Sequence, residues 1–183
     1  MSGRSLEQIA VDADRVWHSN KSVAANIKGG AIRKPRANVV AGLARIKGVR
    51  KAKLPDLIEA QLATPAKSPP TGASWVHEIK YDGYRMLCRI AHQRARMVSR
   101  TANDWTGDFD ALARTLALLP VDDAWLDGEV VALDAAGRTS FQALQKALSA
   151  ADSRNLTYLA FDLLYLNGFD LRGVALTERK RLL

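Results

Sequence analysis

The residues able to do chemistry gather around one lysine. In His77-Glu78-Ile79-Lys80-Tyr81-Asp82-Gly83-Tyr84-Arg85 an amine lies between two apolar runs and beside an Asp-Gly pair. A turn of that type takes glycine for its positive φ and lets main chain approach a ligand closely. Lys80 is thereby placed to act as a nucleophile or a phosphate contact. The same residues taken alone also describe an ordinary hairpin with a surface lysine. To attack, the amine must be neutral although its unperturbed pKa is ~10.4; burial and neighbouring cations favour that form. Glu78 lies two residues before Lys80, so on a strand the two share a face, the plain alternative being a surface strand carboxylate. Arg85 carries a planar fork suited to phosphate or ribose oxygens. Glu129 follows Asp127-Gly128 in an apolar stretch, and a carboxylate there needs a partner because an unpaired buried charge is costly. Phe161 sits in an apolar run and by pattern alone is ordinary core.

The elements that must position these residues follow from periodicity and punctuation. Strands are expected at 74–79, 84–92 and 96–99, a meander around Lys80. Residues 109–119 read as an amphipathic helix ended by Pro120. Short strands at 124–126 and 129–133 are expected to flank an Asp127-Gly128 turn, in which Asp127 is a turn or structural residue, and Ala135-Ala136-Gly137 makes the next turn. Residues 140–150 form a second helix with Ser140 as its N-cap. The continuous apolar run 156–166 suits a buried central strand. A last helix starts at Thr177, with Thr177-Glu178 as its capping signal. Trp75, Trp105 and Trp125 are assigned to core or rim. The fold class is α+β, with an antiparallel or mixed sheet flanked by helices.

Upstream the composition changes. Residues 1–54 hold 12 Lys/Arg against 3 Asp/Glu, whereas residues 55–183 hold 15 against 16, so the whole net charge of +8 originates in the leader. The leader carries a short helical pattern over 5–17, capped by Ser5, and then a basic stretch over 28–53. That stretch reads either as a flexible linker that follows a polyanion by counterion release or as a solvated linker alone. Four prolines between Pro55 and Pro70 mark a boundary. The organisation expected is therefore a leader over 1–54 and a domain over 55–183. Cys88 is the single cysteine, which excludes a disulfide framework, and His18, His77 and His92 have no zinc spacing. No apolar run of membrane-spanning length and no secretory h-region occurs, so a cytoplasmic location is expected.

Four features stand in order: Glu78-Ile79-Lys80-Tyr81-Asp82-Gly83-Tyr84-Arg85, Ser99-Arg100-Thr101, Leu126-Asp127-Gly128-Glu129-Val130 and Phe161-Asp162-Leu163-Leu164-Tyr165. Their order and spacing resemble the adenylation domain of ATP-dependent DNA ligases, most closely the ligase module of the multidomain bacterial enzymes that repair breaks by end joining. The resemblance covers roughly residues 55–183, with a softer likeness of the leader to the linker before that module. It implies the covalent nucleotidyltransferase fold and a lysine–AMP intermediate on Lys80, used to seal DNA nicks or breaks in repair and recombination. It implies ATP as co-substrate, with Glu78 at the adenine edge, Ile79 beside it, and Arg85 at the nucleotide. Arg100 would lie near the nucleotide and the 5′-phosphate of the nick. Glu129 would contact the ribose, and Phe161 would stack on adenine. Mg²⁺ is implied too, with Glu129 and Asp82 as candidate ligands. Broken or nicked duplex DNA is the expected partner, placing the protein in the cytoplasm at the nucleoid.

The family pattern continues past residue 183, through a later Glu-Gly motif, a paired-lysine motif and an OB-type domain. The sequence is accordingly expected to be an N-terminal fragment, with the missing ligase portion or other end-joining proteins as its expected partners. Two other readings stand beside the DNA ligase. One is another covalent nucleotidyltransferase, an RNA ligase or a capping guanylyltransferase. The other is a non-catalytic fragment that binds DNA through its basic leader.

Overall fold

Residues 42–73 and 75–183 are described by a computed structural model. The expected helix over 5–17 and most of the basic stretch lie outside the described residues. The described residues contain, in chain order, β1 (Arg50–Lys51), β2 (Tyr84–Ala91), β3 (Arg94–Ser99), α1 (Asp110–Leu116), β4 (Asp123–Ala132), α2 (Phe141–Ser149), β5 (Leu156–Leu166), β6 (Phe169–Asp170) and α3 (Leu176–Leu182). The strands form one sheet in the order β1-β6-β5-β4-β2-β3, and every pairing in it is antiparallel. This is the expected α+β class.

Alternation along the inner strands gives the sheet two different faces. On one face Met86, Cys88, Ile90, Leu126 and Val130 form the main core with Phe109, Leu112 and Leu144, which α1 and α2 and their flanks contribute. On the other face Leu87, Val98, Trp125, Leu164 and Tyr165 pack under Ile58. Among the described residues, what covers that second face is a strap of chain. Its carbonyl oxygens accept hydrogen bonds from side chains standing on the sheet. Tyr165 donates to Ala52 (2.9 Å), Trp125 Nε1 to Pro55 (2.9 Å), Arg96 to Asp56 (2.5 Å) and Arg85 to Gln61 (2.7 Å).

Local signals predict several elements closely. β5 has the expected bounds. Ser140 caps α2, its hydroxyl accepting from the Ala143 amide at 3.3 Å. Four expectations are corrected. No strand forms over the described part of 74–79, because both edges of β2 are already taken by β3 and β4; Trp75, Val76 and Ile79 stay half or more exposed. Asp127-Gly128 is no turn: β4 runs through it unbroken, with an irregular register against β5 at that point. α3 begins one residue before Thr177, on Ala175, without a side-chain cap. Residues 42–53, placed in the leader by their charge, are packed into the unit: Leu43 is 1% exposed, and β1 pairs with β6.

Candidate active site

The cleft that gathers the predicted residues has a volume of about 580 Å³ and opens on the strap side of the sheet. Glu78, Ile79 and Lys80 reach it from the strandless segment before β2. Arg85 comes from β2, Asp127 and Glu129 from β4, and Phe161 and Asp162 from β5, while Gln61 to Ala63 of the strap form another wall. Arg85 stands opposite Glu129 and Leu87 opposite Asp127 in the ladder, so the pleat aims Arg85, Asp127 and Glu129 to one side.

The electrostatics are built from buried pairs. Arg85 grips Asp127 through two hydrogen bonds, Nε at 3.0 Å and Nη2 at 2.7 Å. The Asp127 side chain is only 2% exposed. The carboxylate hydrogen bond raises the arginine's pKa, so its charge is fixed. The same guanidinium lies over the Phe161 ring, 5.5 Å from its centroid, a cation–π contact. One strand further on, Asp162 holds Arg179 bidentately at 2.8 Å, and Arg179 also donates to the Val174 carbonyl at 2.6 Å. Glu129 differs from these acids. Burial pushes its pKa up, while the Gly83 amide, Arg85 and Lys80 oppose that shift in turn. Glu129 is the carboxylate of the cleft floor that no arginine occupies bidentately, and the Lys80 amine lies within its field.

Gly83 and Gly128 are required for space. A Cβ on Gly83 would meet the Val130 carbonyl oxygen at 2.1 Å, and one on Gly128 would meet the Tyr158 ring at 2.5 Å. Gly83 is not in the left-handed region, so close approach replaces the positive φ expected of a turn. Two predicted residues are not brought in. Arg100 occupies an exposed turn after β3 that is closed by Ser99 and Thr101. Asp82 is exposed and does not line the cleft. Cys88 is no rival nucleophile, since burial pushes its thiol up to about 12. A second cavity, of about 750 Å³, borders α1 and the residues after α2. Its arginines are neutralised locally, Arg114 by Asp110 and Arg154 by Asp152, and none of the predicted residues faces it.

Residue-type reasoning missed the pairing roles of Asp127 and Asp162, and it missed Lys180. That last amine lies behind the cleft, paired with the Glu78 carboxylate and donating to the Phe161 carbonyl at 2.5 Å. Its only sequence signal was a basic run on a terminal helix.

The family model described as ATP dependent DNA ligase domain matches residues 60–183. The chain belongs to that family. Among curated relatives of this ligase domain, the multifunctional non-homologous end joining protein LigD of Pseudomonas aeruginosa is 44% identical over 130 residues, which is 71% of this chain and 15% of the relative. The multifunctional non-homologous end joining DNA repair protein LigD of Mycobacterium tuberculosis is 38% identical over 111 residues, 61% of this chain and 14% of the relative. Among solved structures, the ligase domain of Mycobacterium tuberculosis LigD superposes with a TM-score of 0.51 at 38% identity, covering 57% of this chain and 34% of that one. A mycobacterial DNA ligase D complexed with ATP and MES gives the same TM-score at 36% identity and the same coverages. The chain thus spans about a seventh of those multidomain relatives and a third of the solved ligase domains. The described residues contain no group of three or more His, Cys, Asp or Glu poised around a metal. They also contain no helix long and apolar enough to cross a membrane.

Proposed function

We propose that this chain supplies the nucleotide-binding half of an ATP-dependent DNA ligase adenylation domain, with Lys80 as the residue that takes AMP. The observation that carries this reading is the convergence of Glu78, Lys80, Arg85, Glu129 and Phe161 on one cleft. They come from four separate stretches of chain, and they are among the residues that the family likeness singles out. The neutral Lys80 amine attacks the α-phosphorus of ATP. A P–N bond forms, the P–O bond to pyrophosphate breaks, pyrophosphate departs, and the amine's proton passes to solvent or to a basic group. AMP then moves to a DNA 5′-phosphate, and attack by the adjacent 3′-hydroxyl seals the break and expels AMP.

The residues divide that work by their geometry. Arg85 is locked by Asp127, so it offers its remaining N–H groups and its charge from a fixed place, which favours transition-state anions without reorganisation. Phe161 presents a ring face for base stacking, and Glu78 an acceptor at the cleft edge. Glu129 is set to accept from ribose hydroxyls. The donor set also fits a Mg²⁺ carried in on the nucleotide, since that ion keeps waters and phosphate oxygens and needs only one or two carboxylates. Glu129 lines the cleft and would hold it, whereas Asp82 does not line the cleft. When bound, Mg²⁺ would neutralise phosphate charge as it develops. ATP and duplex DNA are the proposed ligands, end joining the proposed setting, and the cytoplasm at the nucleoid the proposed location.

The test is incubation of the chain with α-labelled ATP and Mg²⁺, followed by denaturing electrophoresis. Label that is retained by the wild type and lost in Lys80→Ala supports the reading. Label that persists in Lys80→Ala overturns the assignment of the nucleophile. Labelling by GTP in place of ATP would turn the reading toward a capping-type enzyme.

A further inference from the structure

The segment that carries the proposed nucleophile is poorly anchored. Residues 75–82 belong to no strand, and Trp75, Val76 and Ile79 are 56%, 51% and 75% exposed. Among the described residues, one ion pair joins a side chain of this segment to another element: Lys180 of α3 with Glu78. The same amine donates to the main-chain carbonyl of Phe161 at 2.5 Å. Lys180 therefore bridges the two residues proposed to meet the base, Glu78 at its edge and Phe161 on its face. It does so from outside the cleft, which it does not line. Its helix is itself fixed on β5, because Arg179, one residue earlier, is clamped by Asp162.

We propose that Lys180 is a positioning residue that sets base recognition. It holds the Glu78 carboxylate at a fixed distance from the Phe161 ring and so orients the Glu78–Lys80 segment over the cleft. The inference rests on the nucleotide-binding reading and deepens it. A carboxylate and a ring fixed at one separation accept a purine in a single register, in which hydrogen-bond donors and acceptors on the base edge are discriminated. Released from its amine, Glu78 swings with an unpaired segment, and stacking on Phe161 is left as the main contact, which every purine satisfies. Discrimination between purines should fall more than the stability of the protein does.

The experiment measures equilibrium binding of ATP and GTP by calorimetry to the full 183-residue chain, as wild type, Lys180→Met, Lys180→Arg and the surface control Arg181→Ala, with melting temperature as the check on folding. The expected result is a Kd for ATP weakened about tenfold or more in Lys180→Met, the loss of one charge-assisted hydrogen bond. The ATP-to-GTP preference should collapse toward unity, Lys180→Arg should recover most of both effects, and Arg181→Ala should change neither. Wild-type binding with an unchanged Kd and preference in Lys180→Met overturns this inference and leaves the ligase reading standing. Absence of ATP binding by the wild type overturns both. If Lys180→Met does not fold, amine acetylation read by mass spectrometry decides on soluble protein. Lys180 should label more slowly than exposed Lys146 in the wild type and speed up in Glu78→Gln, and equal labelling of Lys180 in the two proteins refutes the bridge.

Discussion

Replacing Arg179 by Met tests the ionic scaffold beneath the cleft. Arg179 and Asp162 are 6% and 9% exposed at their side chains and share two hydrogen bonds of 2.8 Å. In Arg179→Met the Asp162 carboxylate would keep only the Leu163 amide at 2.8 Å, and the Val174 carbonyl would lose its donor. Stranding a buried charge in this way costs about 3–5 kcal/mol, a large part of the roughly 5–15 kcal/mol that stabilises a domain. With a urea slope of about 2 kcal/mol per molar, the unfolding midpoint should fall by about 1.5–2.5 M. The double variant Arg179→Met/Asp162→Leu removes both charges and fills the space with apolar volume, so it should regain most of the loss or exceed the wild type. Urea titrations followed by circular dichroism on the four proteins of the cycle give the coupling energy directly. A single variant within about 1 kcal/mol of wild type, or a double variant that loses the sum of its singles, would refute the claim that the pair is desolvated and mutually dependent.

Glu129→Gln should sacrifice function and gain stability. The raised pKa means that the folded state holds the Glu129 proton more tightly than the unfolded chain, so the wild type loses stability as pH rises from the ordinary carboxylate value through the raised one. The melting temperature of Glu129→Gln relative to wild type should therefore climb across that window and level off above it, while adenylation falls; a difference that shrinks with rising pH would contradict the sign. Gly128→Ala places a methyl against the Tyr158 ring and the Leu159 carbonyl. A loss of about 1–3 kcal/mol is expected, readable as a lowered urea midpoint, with Tyr158→Phe on the same background unable to relieve it because the ring stays.

The sequence was legible where structure is decided locally. Ser140 caps α2 because its hydroxyl needs only the next turn, and the run from Leu156 to Leu166 is apolar enough to be a strand in any interior setting. It was illegible where a distant neighbour decides. The residues before Lys80 have strand-like composition, yet a strand exists only if an edge is open to receive it, and β2 has none. Asp127-Gly128 carries a turn signature, but Arg85, 42 residues away, supplies the partner for Asp127, and Tyr158 occupies the space beside Gly128. Of the site, Glu78, Lys80, Arg85, Glu129 and Phe161 do share one cleft. Asp82 and Arg100 do not reach it, because facing depends on segment geometry that residue types do not encode. Lys180 and Asp162 are tied in by contacts across 102 and 17 residues that no spacing rule anticipates.

The strap over the second face is held by main-chain oxygens at four positions and by one buried side chain, Ile58. Ala52, Pro55, Asp56 and Gln61 contribute carbonyls to Tyr165, Trp125, Arg96 and Arg85, and Asp56 adds its carboxylate to Arg89. At the carbonyl contacts the grip depends on the donors beneath the strap and not on the identity of the residue that supplies the oxygen. Substitutions at Ala52, Pro55 or Gln61 would leave these bonds in place, whereas loss of Ile58 or of the tyrosine, tryptophan and arginines under the strap would loosen it. The packed unit thus reaches back to Leu43, well before residue 60 where the family match begins.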